Sequence, residues 1–182
     1  MRIFVALPLP DPVLDALQAL QQGLPVGRAM RRNTLHLTLA FVGEHPEPAV
    51  QGLHEELERI GAPGFDLRLS GLGTFGRTVP TVLWAGVERQ PALDDLYQQV
   101  ASAIRRAGLT APPVRFRPHV TIARFRPDLA PAPQVRLDEF TAARAGFRAP
   151  PFWATGFNLF QSHLHPEGAQ HEALASYPLG PN

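Results

Sequence analysis

The amino-acid sequence predicts a fold of mixed strands and helices, one domain built as two similar lobes. Three observations predict it. The chain has 182 residues, 45% of them hydrophobic and 18% charged, enough apolar material for one substantial core. Its apolar pattern switches repeatedly between the period of a strand and that of a helix. The order strand, helix, histidine-bearing strand occurs twice at nearly the same spacing, as two lobes related by a pseudo-twofold axis require.

The elements follow in order. Residues 2–8 are an apolar strand. Asp11 and Asp15 interrupt the opening too early for a secretory signal, so a cytoplasmic location is expected. Asp11-Pro12 reads as an N-cap and first turn; Leu14, Leu17 and Leu20 continue at helical spacing, and Gly23 ends the run. After an arginine-rich loop, residues 35–42 alternate. Leu35, Leu37, Leu39 and Phe41 face one way; His36, Thr38 and Ala40 face the other. A second helix is expected over 47–60, with Val50, Leu53, Leu57 and Ile60 buried and Gly61 as its stop. A strand at 65–72 leads to a turn-rich loop marked by Gly71, Gly73 and Gly76, then a strand at 81–87. Pro91 opens a third helix, with Leu93, Leu96, Val100 and Ile104 inward and Gly108 at its end. Pro112 and Pro113 belong to a loop. A strand at 118–125 carries His119. The Pro/Ala-rich stretch 127–134 reads as an exposed loop, and apolar runs at 152–160 and 174–179 read as strands.

Composition excludes several chemistries. The chain has no cysteine and no lysine; all 17 basic residues are arginine. Disulfides, thiolate metal sites, cysteine nucleophiles, lysyl–nucleotide intermediates, Schiff bases and a lysine-bearing P-loop are therefore unavailable within it. No apolar run reaches the ~20 residues of a membrane span. The formal net charge is +1, yet the arginines cluster. Arg28, Arg31 and Arg32 precede the first histidine segment, and Arg115, Arg117, Arg124 and Arg126 bracket the second. Guanidinium forks suit phosphate oxygens.

The chemistry concentrates in two tetrads, His36-Leu37-Thr38-Leu39 and His119-Val120-Thr121-Ile122. Phosphodiester cleavage needs one proton removed from the nucleophile and one delivered to the leaving oxygen. Imidazole does either near neutral pH. Thr38 and Thr121, two residues along each strand, share their histidine's face and can donate to phosphate oxygens. The scheme needs no metal and no cofactor. His45 and His54 lack the paired spacing of a metal site; His163 and His165, two apart, could share a strand face but fall in an expected turn before Pro166 and read as surface residues. Strict alternation turns Phe41 and Arg124 away from the histidine face. A bulge can return Arg124 to it, and Phe41 either packs in the core or stacks on a base. Trp84 and Trp153 fit core strands. The residues alone do not say which histidine is acid and which is base.

The paired tetrads resemble the signature of the 2H phosphoesterase superfamily. The opening Arg2-Ile3-Phe4-Val5-Ala6-Leu7, the stretches Asn33 to Gly43 and Val82 to Val87, and the stretch Phe116 to Arg124 look like its bacterial RNA 2′,3′-cyclic phosphodiesterase branch, also called 2′-5′ RNA ligase. The resemblance covers nearly the whole chain. It implies a bilobal α+β fold, with antiparallel sheets lining a central cleft and helices outside. It implies hydrolysis of an RNA 2′,3′-cyclic phosphate end to a 2′-phosphomonoester, with small cyclic nucleotides as alternative substrates. His36 would be the proton donor and His119 the proton acceptor; Thr38, Thr121 and Arg124 would hold the phosphate. In Gly168-Ala169-Gln170-His171 the chain departs from the family pattern, which often has tyrosine where His171 stands. Competing readings are 2′-5′ ligation by the same site and a non-catalytic RNA-end binding module. A monomer is expected, without a membrane partner.

Overall fold

A computed structural model describes residues 1–110, 115–166 and 168–181. In chain order the elements are β1 (Arg2–Pro8), α1 (Asp11–Gln22), β2 (Arg28–Ala29), β3 (His36–Glu44), α2 (Glu47–Glu58), β4 (Phe65–Leu67), β5 (Leu69–Phe75), β6 (Val82–Val87), α3 (Pro91–Arg106), β7 (His119–Arg124), α4 (Pro131–Ala143), β8 (Phe152–Ala154), β9 (Gly156–His163) and β10 (Gln170–Pro178). A short 3₁₀ turn, Arg32–Thr34, leads into β3. The loop expected at Pro112 and Pro113 lies outside the described residues.

One antiparallel sheet runs β10-β9-β1-β3-β7-β6-β5, and β2 pairs with β7. The repeat is real: β1-α1-β3 and β6-α3-β7 are its two units, and the histidine strands β3 and β7 are neighbours. The two expected lobe sheets thus join into one, meeting where Leu37 pairs with Val120. One face of the sheet buries Leu37, Leu39, Val120 and Ile122 under the helices; α1 packs on β7 and α3 on β3. The other face carries the histidines. Three helices are amphipathic in the expected register, burying Leu17 and Leu20, Leu53 and Leu57, and Leu93 to Ile104.

Several local expectations change. Asp11 is not the N-cap of α1: Pro10 holds that place, and Asp11 opens the helix as a salt-bridge partner of Arg32, at 2.7 Å. The run 65–72 divides into β4, which pairs with β8, and β5, which pairs with β6. Of the glycines expected to break the chain, Gly71 and Gly73 instead lie inside β5, and Gly76 opens the turn just beyond it. At Gly73 a Cβ would stand 2.2 Å from the Trp84 ring, so the missing side chain makes room for the indole. The stretch 127–134 is not all loop, because α4 starts at Pro131. Proline costs nothing in a first turn whose N–H groups lack helical acceptors. This helix buries only Leu137 and Phe140, too thin a stripe for a period to register. Trp153 is exposed, and Trp84 leaves the core side for the histidine face.

Candidate active site

Antiparallel register fixes the centre of the site. Leu37 opposite Val120 carries the neighbouring pairs with it: His36 falls across from Thr121, and Thr38 across from His119. With Leu37 and Val120 buried beneath, all four side chains share the open face. Each histidine therefore faces the other tetrad's threonine.

Both rings are held alike. His36 Nδ1 lies 2.7 Å from the Thr34 carbonyl, and His119 Nδ1 lies 2.7 Å from the Arg117 carbonyl. A carbonyl only accepts, so Nδ1–H must donate in each ring, and Nε2 is left to exchange protons in the cleft.

A matched pair of β-bulges brings in the next side chains. On β3 the register with β1 skips Leu39; on β7 the register with β6 skips Ile122. Each skipped residue lies three positions after its histidine and reverses the alternation beyond it. Arg124 thereby joins the face of His119 and Thr121. Phe41, opposite Phe4, joins that of His36 and Thr38. Phe41 is therefore not a core residue in line with Leu37 and Leu39; it is 56% exposed, and Val42 takes the buried place.

Aromatic rings enclose both histidines. Phe4 stacks on His36 with centroids 4.8 Å apart and is backed by Phe160 at 5.1 Å; Phe41 lies 5.9 Å from Phe4. Phe75 meets His119 edge-on at 4.8 Å, and Trp84 lies 6.2 Å away. His171, on β10, completes the first enclosure. Its ring meets His36 edge to face at 5.1 Å, and its Nδ1 is buried without a hydrogen-bond partner.

These surroundings disfavour charged imidazole. Burial, then His171, His119 and Arg124, push His36 down to about 4, against a weaker upward pull from the Thr34 hydrogen bond. His119 is lowered by burial and then by the Arg117 and Arg124 charges, with its backbone hydrogen bond opposing; His171 is lowered by burial and Arg124. The Arg124 guanidinium thus acts on all three rings.

Sequence reasoning selected His36, His119, Thr38, Thr121, Arg124 and Phe41, and the fold gathers them on one face. It missed Phe4, Phe160 and His171. Phe4 and Phe160 looked like ordinary strand residues, and His171 was visible only as a departure from a family pattern. The other histidines lie elsewhere. His54 bonds to the Tyr177 hydroxyl at 2.9 Å, and His163 bonds to Glu172 at 3.0 Å. Of the arginines before β3, Arg32 is committed to Asp11 and Asp15. Among the described residues no three His, Asp or Glu side chains assemble as a metal-binding group, and no helix is long and apolar enough to cross a membrane.

Comparison with known proteins agrees with this arrangement. A family model described as the 2′-5′ RNA ligase superfamily matches residues 9–165. A Geobacillus stearothermophilus protein named RNA 2′,3′-cyclic phosphodiesterase is 31% identical over 97% of the chain, which spans 56% of that relative's length. A Thermus thermophilus protein of the same name is 34% identical, over 98% of this chain and 90% of its own. The crystal structure of Escherichia coli LigT in its apo form superimposes with a TM-score of 0.76 at 26% identity, covering 98% of this chain and 97% of that one. The twin histidine strands, their shared face and the extent of these matches lead to one conclusion: the chain belongs to the 2′-5′ RNA ligase superfamily of 2H phosphoesterases.

Proposed function

We propose that this chain hydrolyses the 2′,3′-cyclic phosphate end of RNA to a 2′-phosphomonoester, without a metal or other cofactor, as a monomer in the cytoplasm. The observation carrying this reading is the Leu37–Val120 register, which sets two imidazoles and two threonines across one another on an open face. The two halves act as lobes of one domain, each supplying one histidine and one threonine.

In this reaction the oxygen of water forms a bond to phosphorus, and the bond from phosphorus to the 3′ oxygen breaks. His119 Nε2 takes the proton from water. His36 Nε2–H delivers a proton to the departing oxygen. Thr38 and Thr121 donate to the non-bridging oxygens, and Arg124 balances their growing charge. Phe41 offers a face to the terminal base. His36 is neutral in the free protein at neutral pH; the bound phosphodiester anion opposes burial and draws a proton onto it.

A second reading exchanges the two roles. The observation favouring it is the firmer neutrality of His36, which burial and its neighbours push down to about 4. A protonated His119 would then be the acid.

The decisive experiment incubates the protein, in EDTA, with an RNA ending in 2′,3′-cyclic phosphate and identifies the product. A 2′-phosphate end is expected. A 3′-phosphate end, a 2′-5′ joined product, or binding without turnover would reject the reading, and loss of turnover in EDTA would reject the metal-free mechanism.

A further inference from the structure

Beside the histidine face, β2 and β7 open onto a pocket of about 700 Å³ whose lining includes Arg28, Arg124 and Arg126 over Phe125 and Leu129. Arg28 lies directly opposite Arg124 in the β2–β7 ladder. Like charges facing each other across antiparallel strands destabilise the pair. Among the described residues none of the three guanidiniums has a carboxylate partner, unlike Arg32, Arg89, Arg106 and Arg148. Asp128, at the same pocket, leaves it net positive.

All three arginines are open to solvent, and Arg28 is further held by its neighbours. Gly27 has φ +87°, and a Cβ there would meet the Phe125 ring at 2.3 Å, so the turn into β2 closes tightly over β7. The Arg28 guanidinium lies against Gly168, where a Cβ would come within 2.6 Å of its Nη2. A pocket that gathers three solvent-open guanidiniums beside an apolar wall suits a sugar–phosphate unit. Arg124 belongs to both the pocket and the histidine face, so any ligand there is contiguous with one at His36 and His119.

Resting on the proposed cyclic-phosphate hydrolysis, we infer that this pocket binds the phosphodiester on the 5′ side of the terminal nucleotide, so that the substrate class is single-stranded RNA ends rather than free cyclic mononucleotides. Arg28 and Arg126 grip that internal phosphate while Arg124 serves the reacting one. The ribose of the penultimate nucleotide rests against Leu129.

The test compares kcat/KM for adenosine 2′,3′-cyclic phosphate with that for a tetranucleotide ending in the same group. The wild-type protein should prefer the tetranucleotide roughly tenfold or more, the scale of one charge-assisted contact. In the Arg28→Gln, Arg126→Gln double variant, with melting temperature checked, that ratio should fall toward one. A wild-type ratio near one, or a ratio the double variant leaves intact, overturns the inference. Should the wild-type protein turn over neither substrate, the hydrolytic reading fails instead. The pocket is then read directly, from binding of a tetranucleotide ending in 2′-phosphate against adenosine 2′-monophosphate. Preference for the tetranucleotide, lost in the double variant, supports the pocket; equal binding overturns it.

Discussion

His36 and His171 meet edge to face with ring centroids 5.1 Å apart, on strands separated in the sheet by β1 and β9. The His171 Nδ1 is buried and unpartnered, so protonating it would enclose an unsatisfied donor. A neutral His171 beside His36 keeps water away, and any charge on it opposes a proton on His36. Replacing His171 with Phe removes that charge and keeps much of the bulk. The His36 pKa should then rise above about 4, while burial, the larger cause, still holds it below the ordinary 6.5. NMR titration of the imidazole carbons reads this directly, and an unchanged His36 titration would refute it.

Removing either proposed proton carrier should cost about 10²–10⁴ in rate, so His36→Ala and His119→Ala should both be nearly inactive on a cyclic phosphate. They should separate on a phosphodiester whose leaving group is p-nitrophenolate, which departs without a proton. On the assignment made above, His36→Ala recovers activity on that substrate and His119→Ala does not. The reverse pattern exchanges the roles.

Gly73→Ala tests how the second histidine is supported. The added carbon would stand 2.2 Å from the Trp84 ring, which lies 6.2 Å from that of His119. The indole must move, at a cost of about 1–3 kcal/mol of stability. Activity should fall with little change at His36. Thermal denaturation and the His119 titration check both parts; unchanged stability would show that the indole yields freely.

Acid should weaken the fold through these histidines. A group whose pKa falls on folding binds more protons in the unfolded chain, so stability drops as pH decreases. For His36 the window lies between about 6.5 and about 4, and the full effect is roughly 3 kcal/mol at most. The lowered pKa values of His119 and His171 act in the same direction. Urea denaturation at stepped pH measures the slope, and His36→Phe should flatten it.

The sequence displayed its repeat, its strand periods and its two tetrads because each rests on local spacing. Leu37 and Val120 could be read as buried and the histidines as facing away from them. What local spacing cannot contain is a register slip. Arg124 and Phe41 reach the cleft only because Ile122 and Leu39 are skipped in pairing with other strands, and no residue type announces that. His171 was hidden for a related reason. Its nearness to His36 arises from a sheet order that places β9 beside β1. The helix at Pro131 escaped notice because it buries so little.

The pairing of Leu37 with Val120 also makes the gap between the two imidazoles a property of the peptide backbone. Adjacent strands stand about 4.8 Å apart in any sheet, and the two tetrads hang from adjacent strands. The reach between the two proposed proton carriers is therefore gauged by main-chain hydrogen bonding, before a substrate arrives. Tuning by substitution can alter the rings' protonation and surroundings, while the ruler between them stays the same.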